Sequence, residues 1–152
     1  MDADSVEHMT DTENPVITPI ACALPNRPEG APKMHGKDAV KVLPGTLLRE
    51  LVGAETMLGD YFCNYGVNGE YERRFEEAGL RVSARGGEGE IRAMELTGHR
   101  FYLATLFQPQ LQSTEEAPHP LVTAFVKACV EFAEEKKQGS SQRTQRTRSE
   151  DR

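Results

Sequence analysis

Tryptophan is absent from the chain and cysteine occurs only three times. Cys22, Cys63 and Cys129 form an odd set, 41 and 66 residues apart, with no Cys-x-x-Cys pair. That pattern excludes both a disulfide framework and a cysteine-based zinc site. Long apolar runs are missing too: no stretch of 18 apolar residues could serve as a transmembrane helix. The acidic start, "MDADSVEHMTDTE", lacks the basic-then-apolar order of a secretory signal. A cytoplasmic location with reduced thiols is therefore expected. No glycine-rich loop opens a helix after a strand, and "RGGEGE" reads as a turn between strands rather than a phosphate cradle. Neither a cofactor nor a metal ion is expected.

What remains is enough for one domain with one core, since 38% of the 152 residues are apolar. The net charge of -6 is unevenly spread. Residues 136–152 hold six Lys or Arg against two acids, which leaves the body at about -10. So acidic a body argues against nucleic-acid binding. The tail has no apolar periodicity and cannot bury enough surface to offset its ordering entropy, so residues 136–152 are expected to be a disordered basic tail. Residues 1–14, mostly polar, are expected to form a mobile N-terminus, and residues 15–135 the folded domain.

Within that domain "PVITPIACAL" (15–24) reads as a strand, followed by a Pro- and Gly-rich loop as far as Asp38. "AVKVLPG" reads as a second strand closed by a turn. Thr46 then stands as N-cap of a helix that stops at Gly53 and turns Leu47, Leu48 and Leu51 to one face. A strand around residues 60–65 leads through "VNG" into the helix "EYERRFEEAG", with Tyr71 and Phe75 four apart and Gly79 as its stop. Three short-linked strands follow, "LRVSAR", "EIRAMEL" and "FYLATLF", whose tight connections favour antiparallel neighbours. Finally, "HPLVTAFVKACVEFAEEKK" (119–137) places Leu121, Val122, Phe125, Val126, Cys129, Phe132 and Ala133 on one helical face. Helices and strands interleave without internal repeat, which predicts an α/β architecture with a mixed sheet.

The ordered series "YFCNYGVNGEY", "AGLRVSARGGEGEIRAMEL", "GHRFYLATLFQPQLQS" and "PHPLVTAFVKACVEFA" resembles the C-terminal half of the class I glutamine amidotransferase domain of CTP synthase, over residues 3–134. It is still more similar to the CTP synthase C-terminal-region-related proteins, which have near equivalents of "ITPIACAL", "CNYG" and "TLFQPQ". The resemblance implies a three-layer, flavodoxin-like mixed sheet, here incomplete. It also implies that Gln108 stands where the family has its catalytic His and Gln110 where it has the orienting Glu. Glutamine hydrolysis of that type needs a Cys nucleophile whose proton is taken by a His that a carboxylate holds in place. A carboxamide has no useful basicity near neutral pH. The family's nucleophile lies on a Gly-x-Cys-x-Gly elbow, and no such sequence is present. A sheet lacking its first half would expose an edge and an apolar face, so either the sequence is part of a longer product or a shortened version of one, or a protein partner or a second copy is expected to cover that face.

Several residues carry two readings each. Cys63 with Asn64 in "FCNYG" could line a pocket at a strand end, where Cys63, like His99, is a catalytic candidate for a different hydrolase or lyase chemistry, or Cys63 could simply be a small buried hydrophobe. His99 suits acid-base work by its titration range, and equally suits capping a strand through a backbone hydrogen bond. Glu7 and His8 form an acid-His pair in an acidic terminus. Arg73 and Arg74 could meet an anion, but surface pairing with Glu70, Glu76 or Glu77 is the plainer expectation. Gln108 and Gln110 retain donors and acceptors for a ligand or for the backbone of their turn. The expected function is that of a degenerate, CTP synthase-related binding or structural module. The alternative is a part of a glutamine-hydrolysing enzyme of pyrimidine nucleotide biosynthesis.

Overall fold

The computed structural model describes residues 3–21 and 23–150, with side chains through residue 138. Cys22 lies outside the described residues. The strands are β1 (Asp4–Ser5), β2 (Pro15–Pro19), β3 (Met34–Val42), β4 (Thr56–Cys63), β5 (Tyr65–Val67), β6 (Leu80–Arg85), β7 (Ile91–Leu96) and β8 (Leu103–Thr105). The helices are α1 (Leu47–Val52), α2 (Glu72–Glu77) and α3 (Pro120–Glu150), with 3-10 turns at Gly69–Tyr71 and Pro109–Gln112.

The strands divide between a small sheet of order β1-β2-β5 and a larger one of order β4-β3-β6-β7-β8. Pairing is mixed: β1 runs parallel to β2, whereas every other pair is antiparallel. The Pro- and Gly-rich stretch expected as loop gives up its end to β3. That strand begins at Met34, because backbone pairing with β4 from Met34↔Cys63 to Lys41↔Thr56 carries it through Gly36, whose φ of 116° only glycine adopts readily. Residues 4–5, in the terminus expected to be mobile, pair with β2. Helix α3 runs on past Lys136, into the stretch whose composition suggested disorder.

Although β4 and β8 lie at opposite ends of the larger sheet, its ends meet. Beyond β8, Gln108 N donates to Asp60 O of β4 (2.7 Å), and Gln112 Nε2 donates to Leu58 O (3.1 Å). The sheet thus curls almost closed, and its inner face is filled by Val40, Tyr61, Ala84, Ala93 and Phe107. Gly59 permits the approach: a Cβ there would lie 2.8 Å from Phe107 Cβ and 2.9 Å from Val40 Cγ2.

Helix α1 closes one side of this core through Leu48, which is fully buried. Its start follows the sequence, with Thr46 Oγ1 accepting from Arg49 N (3.1 Å) and Gly53 in the left-handed region at its end. Two orphan amides of its first turn, Leu47 N and Leu48 N, donate to the Glu95 carboxylate of β7 at 3.0 and 3.3 Å. Arg81 holds the same carboxylate from β6, Nε to Oε1, at 2.8 Å.

The last helix departs from the expectation of a buried face. Leu121 is buried, but Phe125, Val126, Val130 and Phe132 are between 45% and 54% exposed. Cys129, on the same apolar face, is exposed. The apolar stripe exists, yet after its first turn no described element lies against it closely enough to bury it.

Candidate functional site

The turn after β8 presents the two glutamines. Gln108 precedes Pro109, its backbone tied to Asp60 and Leu111, while its side chain has no hydrogen-bond partner among the described residues. Gln110 is exposed. Among the described residues neither carboxamide is hydrogen-bonded to a thiol.

Cys63 and Asn64 occupy the corner where the chain leaves the larger sheet at β4 and enters the smaller one at β5. Asn64 secures that corner: its backbone O accepts from Ile20 N and its Oδ1 from Lys33 N, both at 2.8 Å. Together the two residues line a cleft of about 420 Å³ between β5 and β7, which Glu7, Arg92 and Thr105 also reach. Cys63 is half-buried, and burial pushes its thiol above the ordinary range while the nearby Arg92 charge pulls the other way. Gln108 and His99 are not among the residues lining this cleft.

His99 lies elsewhere, in the turn between β7 and β8. Its Nδ1 is 3.0 Å from Phe101 O, and its ring meets Tyr102 edge-on at 6.2 Å. With Phe125, Cys129 and Phe132 of α3 it borders a separate apolar groove of about 330 Å³. No hydrogen bond among the described residues joins His99 to Cys129. The structure separates the acid-His pair of the N-terminus: Glu7 reaches the cleft, while His8 is exposed and donates its backbone N–H to Ser5 O. Arg73 pairs with Glu77 at 3.0 Å, and Arg74 lies 5.5 Å from the Tyr71 ring centroid.

Arg92, Tyr61 and His119 were not singled out from sequence. Arg92 is 3% exposed. Its Nη2 donates to Glu90 Oε1 (2.8 Å), its Cζ lies 5.4 Å from the Tyr61 ring centroid, and its Nε is buried without a hydrogen-bond partner among the described residues. Tyr61 Oη is likewise buried and unpartnered, and desolvation drives its pKa far above the ordinary tyrosine value. The one sequence signal was an arginine between apolar neighbours in "EIRAMEL". His119 is buried at the start of α3, where Nδ1 accepts from Leu121 N (3.2 Å); burial lowers its pKa below the ordinary histidine value. Among the described residues no group of three or more His, Cys, Asp or Glu could hold a metal ion, and no helix is long and apolar enough to cross a membrane.

The curled mixed sheet flanked by helices matches the fold of a class I glutamine amidotransferase domain. The solved glutaminase domain of Trypanosoma brucei CTPS, with bound acivicin, superimposes with a TM-score of 0.74 and 25% identity, over 86% of this chain and 51% of that one. Relatives in sequence include CTP synthases. That of Rubrobacter xylanophilus is 34% identical over 134 residues, 88% of this chain and 24% of its own length. That of Cytophaga hutchinsonii is 30% identical over 137 residues, 90% of this chain and 25% of its own. This chain is thus related to CTP synthase through its glutaminase region, and it spans about a quarter of the length of these relatives. No protein-family model matches the sequence.

Proposed function

We propose that the chain is a degenerate amidotransferase-like module that binds a ligand or partner and does not hydrolyse glutamine. One observation carries this reading: amide side chains occupy the turn after β8, at Gln108 and Gln110, and neither can take a proton from a thiol near neutral pH. The described cysteines support it. Cys63 sits in a cleft without an imidazole, and its burial favours the unreactive thiol. Cys129 shares a groove with His99, whose Nδ1 is occupied by Phe101 O, and no carboxylate orients that ring among the described residues.

The test is ammonia release from glutamine by the purified chain. No release above the buffer rate is expected; turnover that Gln108→Ala abolishes would refute the reading. A second reading makes the chain part of a glutamine-hydrolysing, CTP synthase-like enzyme of pyrimidine nucleotide synthesis. It is favoured by Leu58, Phe62 and Leu111, 57–58% exposed on β4 and on the turn that carries Gln108. A partner bearing a nucleophilic cysteine would cover them. Ammonia release that appears only with a co-purified second chain would select it.

A further inference from the structure

We propose that the cleft between β5 and β7 binds a small organic carboxylate with an apolar body, and that Arg92 reads the carboxylate. This deepens the binding-module reading and rests on it. A guanidinium in the interior needs its charge and its five N–H donors answered. Arg92, with a side chain 4% exposed, has Glu90 as its ion-pair partner, and that side chain is itself 35% exposed and shares its other oxygen with Glu88 N (3.0 Å). The further Nη2 contact is to the Met34 sulfur at 3.8 Å, a poor acceptor, and Nε is unanswered among the described residues. The local backbone makes room for this arrangement, since a Cβ on Gly86 would fall 2.5 Å from Glu90 Oε2 and 2.8 Å from Arg92 Nε.

Two clefts meet at Arg92, and their charges differ. The one of about 390 Å³ carries Glu72, Glu88 and Glu90 and a second cation, Arg85, which is paired to Glu72, so that Glu88 and Glu90 remain beside Arg92 to repel an anion. The one of about 420 Å³ has a single acid, the exposed Glu7, and walls that include Ile17, Ala93, Met94 and Leu106. An anion therefore enters on the Cys63 side. One cation among its lining residues matches a single negative charge better than a phosphate dianion, and the apolar walls match a hydrocarbon body.

Cys63 lines this cleft whereas Cys129 lies outside it, so the two thiols report occupancy and its control. The full chain is titrated with phenylacetate, phenylacetamide and inorganic phosphate by calorimetry, and iodoacetamide labelling of each cysteine is followed by peptide mass spectrometry. Phenylacetate is expected to bind at least about tenfold more tightly than its amide, the worth of a charge-assisted hydrogen bond. It slows labelling of Cys63 and leaves Cys129 unchanged. Arg92→Lys and Gly86→Ala, each confirmed folded by circular dichroism, lose the preference for the carboxylate. Equal affinity for acid and amide, tighter binding of phosphate, equal protection of both cysteines, or no binding of phenylacetate to the folded chain would each overturn the site. Ammonia release, measured separately, judges the parent reading, so the two failures are distinguishable.

Discussion

Strand β7 buries two opposite charges three residues apart, and they are treated differently. Glu95, 3% exposed, receives two backbone amides from α1 and the guanidinium of Arg81. Its hydrogen-bonding capacity is spent on joining α1 to the sheet. Arg92, equally buried, has a partly exposed carboxylate, a thioether, the face of the Tyr61 ring and an Nε unanswered among the described residues. The first arrangement is what a structural ion looks like; the second leaves capacity unused at the edge of a cleft. Buried charge that is fully matched holds a fold together, and buried charge that is half matched is costly unless something else engages it.

The largest effect expected from this contrast is at Glu95. Glu95→Ala strands two helix amides and a guanidinium and should lower unfolding stability by about 3 kcal/mol or more in urea. A loss under about 1 kcal/mol would erase the distinction from Arg92. Next is the closure of the sheet, tested by Gly59→Ala, which presses a methyl group against Phe107 and Val40 and should cost about 2 kcal/mol. A neutral outcome would mean that the two ends do not meet as described. Arg92→Met should cost less than about 1 kcal/mol, because it removes a desolvated charge and restores apolar packing beside Tyr61. A loss comparable to that of Glu95→Ala would make Arg92 structural.

The smallest effect concerns pH. His119 is buried with its pKa lowered, so the unfolded chain binds the proton more readily than the folded one. Its contribution is present above the ordinary histidine value of about 6.5 and is lost as pH falls through it. His119→Asn should flatten the fall in stability between pH 8 and pH 5, measured by urea unfolding. An unchanged slope would place the pH dependence elsewhere.

Local signals in the sequence were good guides where the chain decides its own conformation. Thr46 and Gly53 bound α1, and the tight turns around "GGEGE" and "TGH" gave the antiparallel run of β6, β7 and β8. They failed where partners decide. Lys33 and Met34 look like loop in "PEGAPKMHGKD", and only the pairing of β3 with β4 makes strand of the second half. The apolar periodicity of α3 was real, but periodicity says which residues share a face and not whether anything lies against it, and Phe125, Val126 and Phe132 are exposed. The glutamines at 108 and 110 were legible through the order of motifs. The cleft was legible only at Cys63 and Asn64, since Arg92 and Glu7 reach it from strands and termini distant in sequence.

The central claim is that no group among the described residues activates the Cys63 thiol, and the pH dependence of Cys63 alkylation tests it most directly. Labelling by iodoacetamide, followed at the Cys63 peptide from pH 6 to pH 11, should rise with an inflection above the ordinary cysteine range of about 8.5. An inflection below pH 7, with rapid labelling at neutral pH, would reveal a stabilised thiolate and contradict the account.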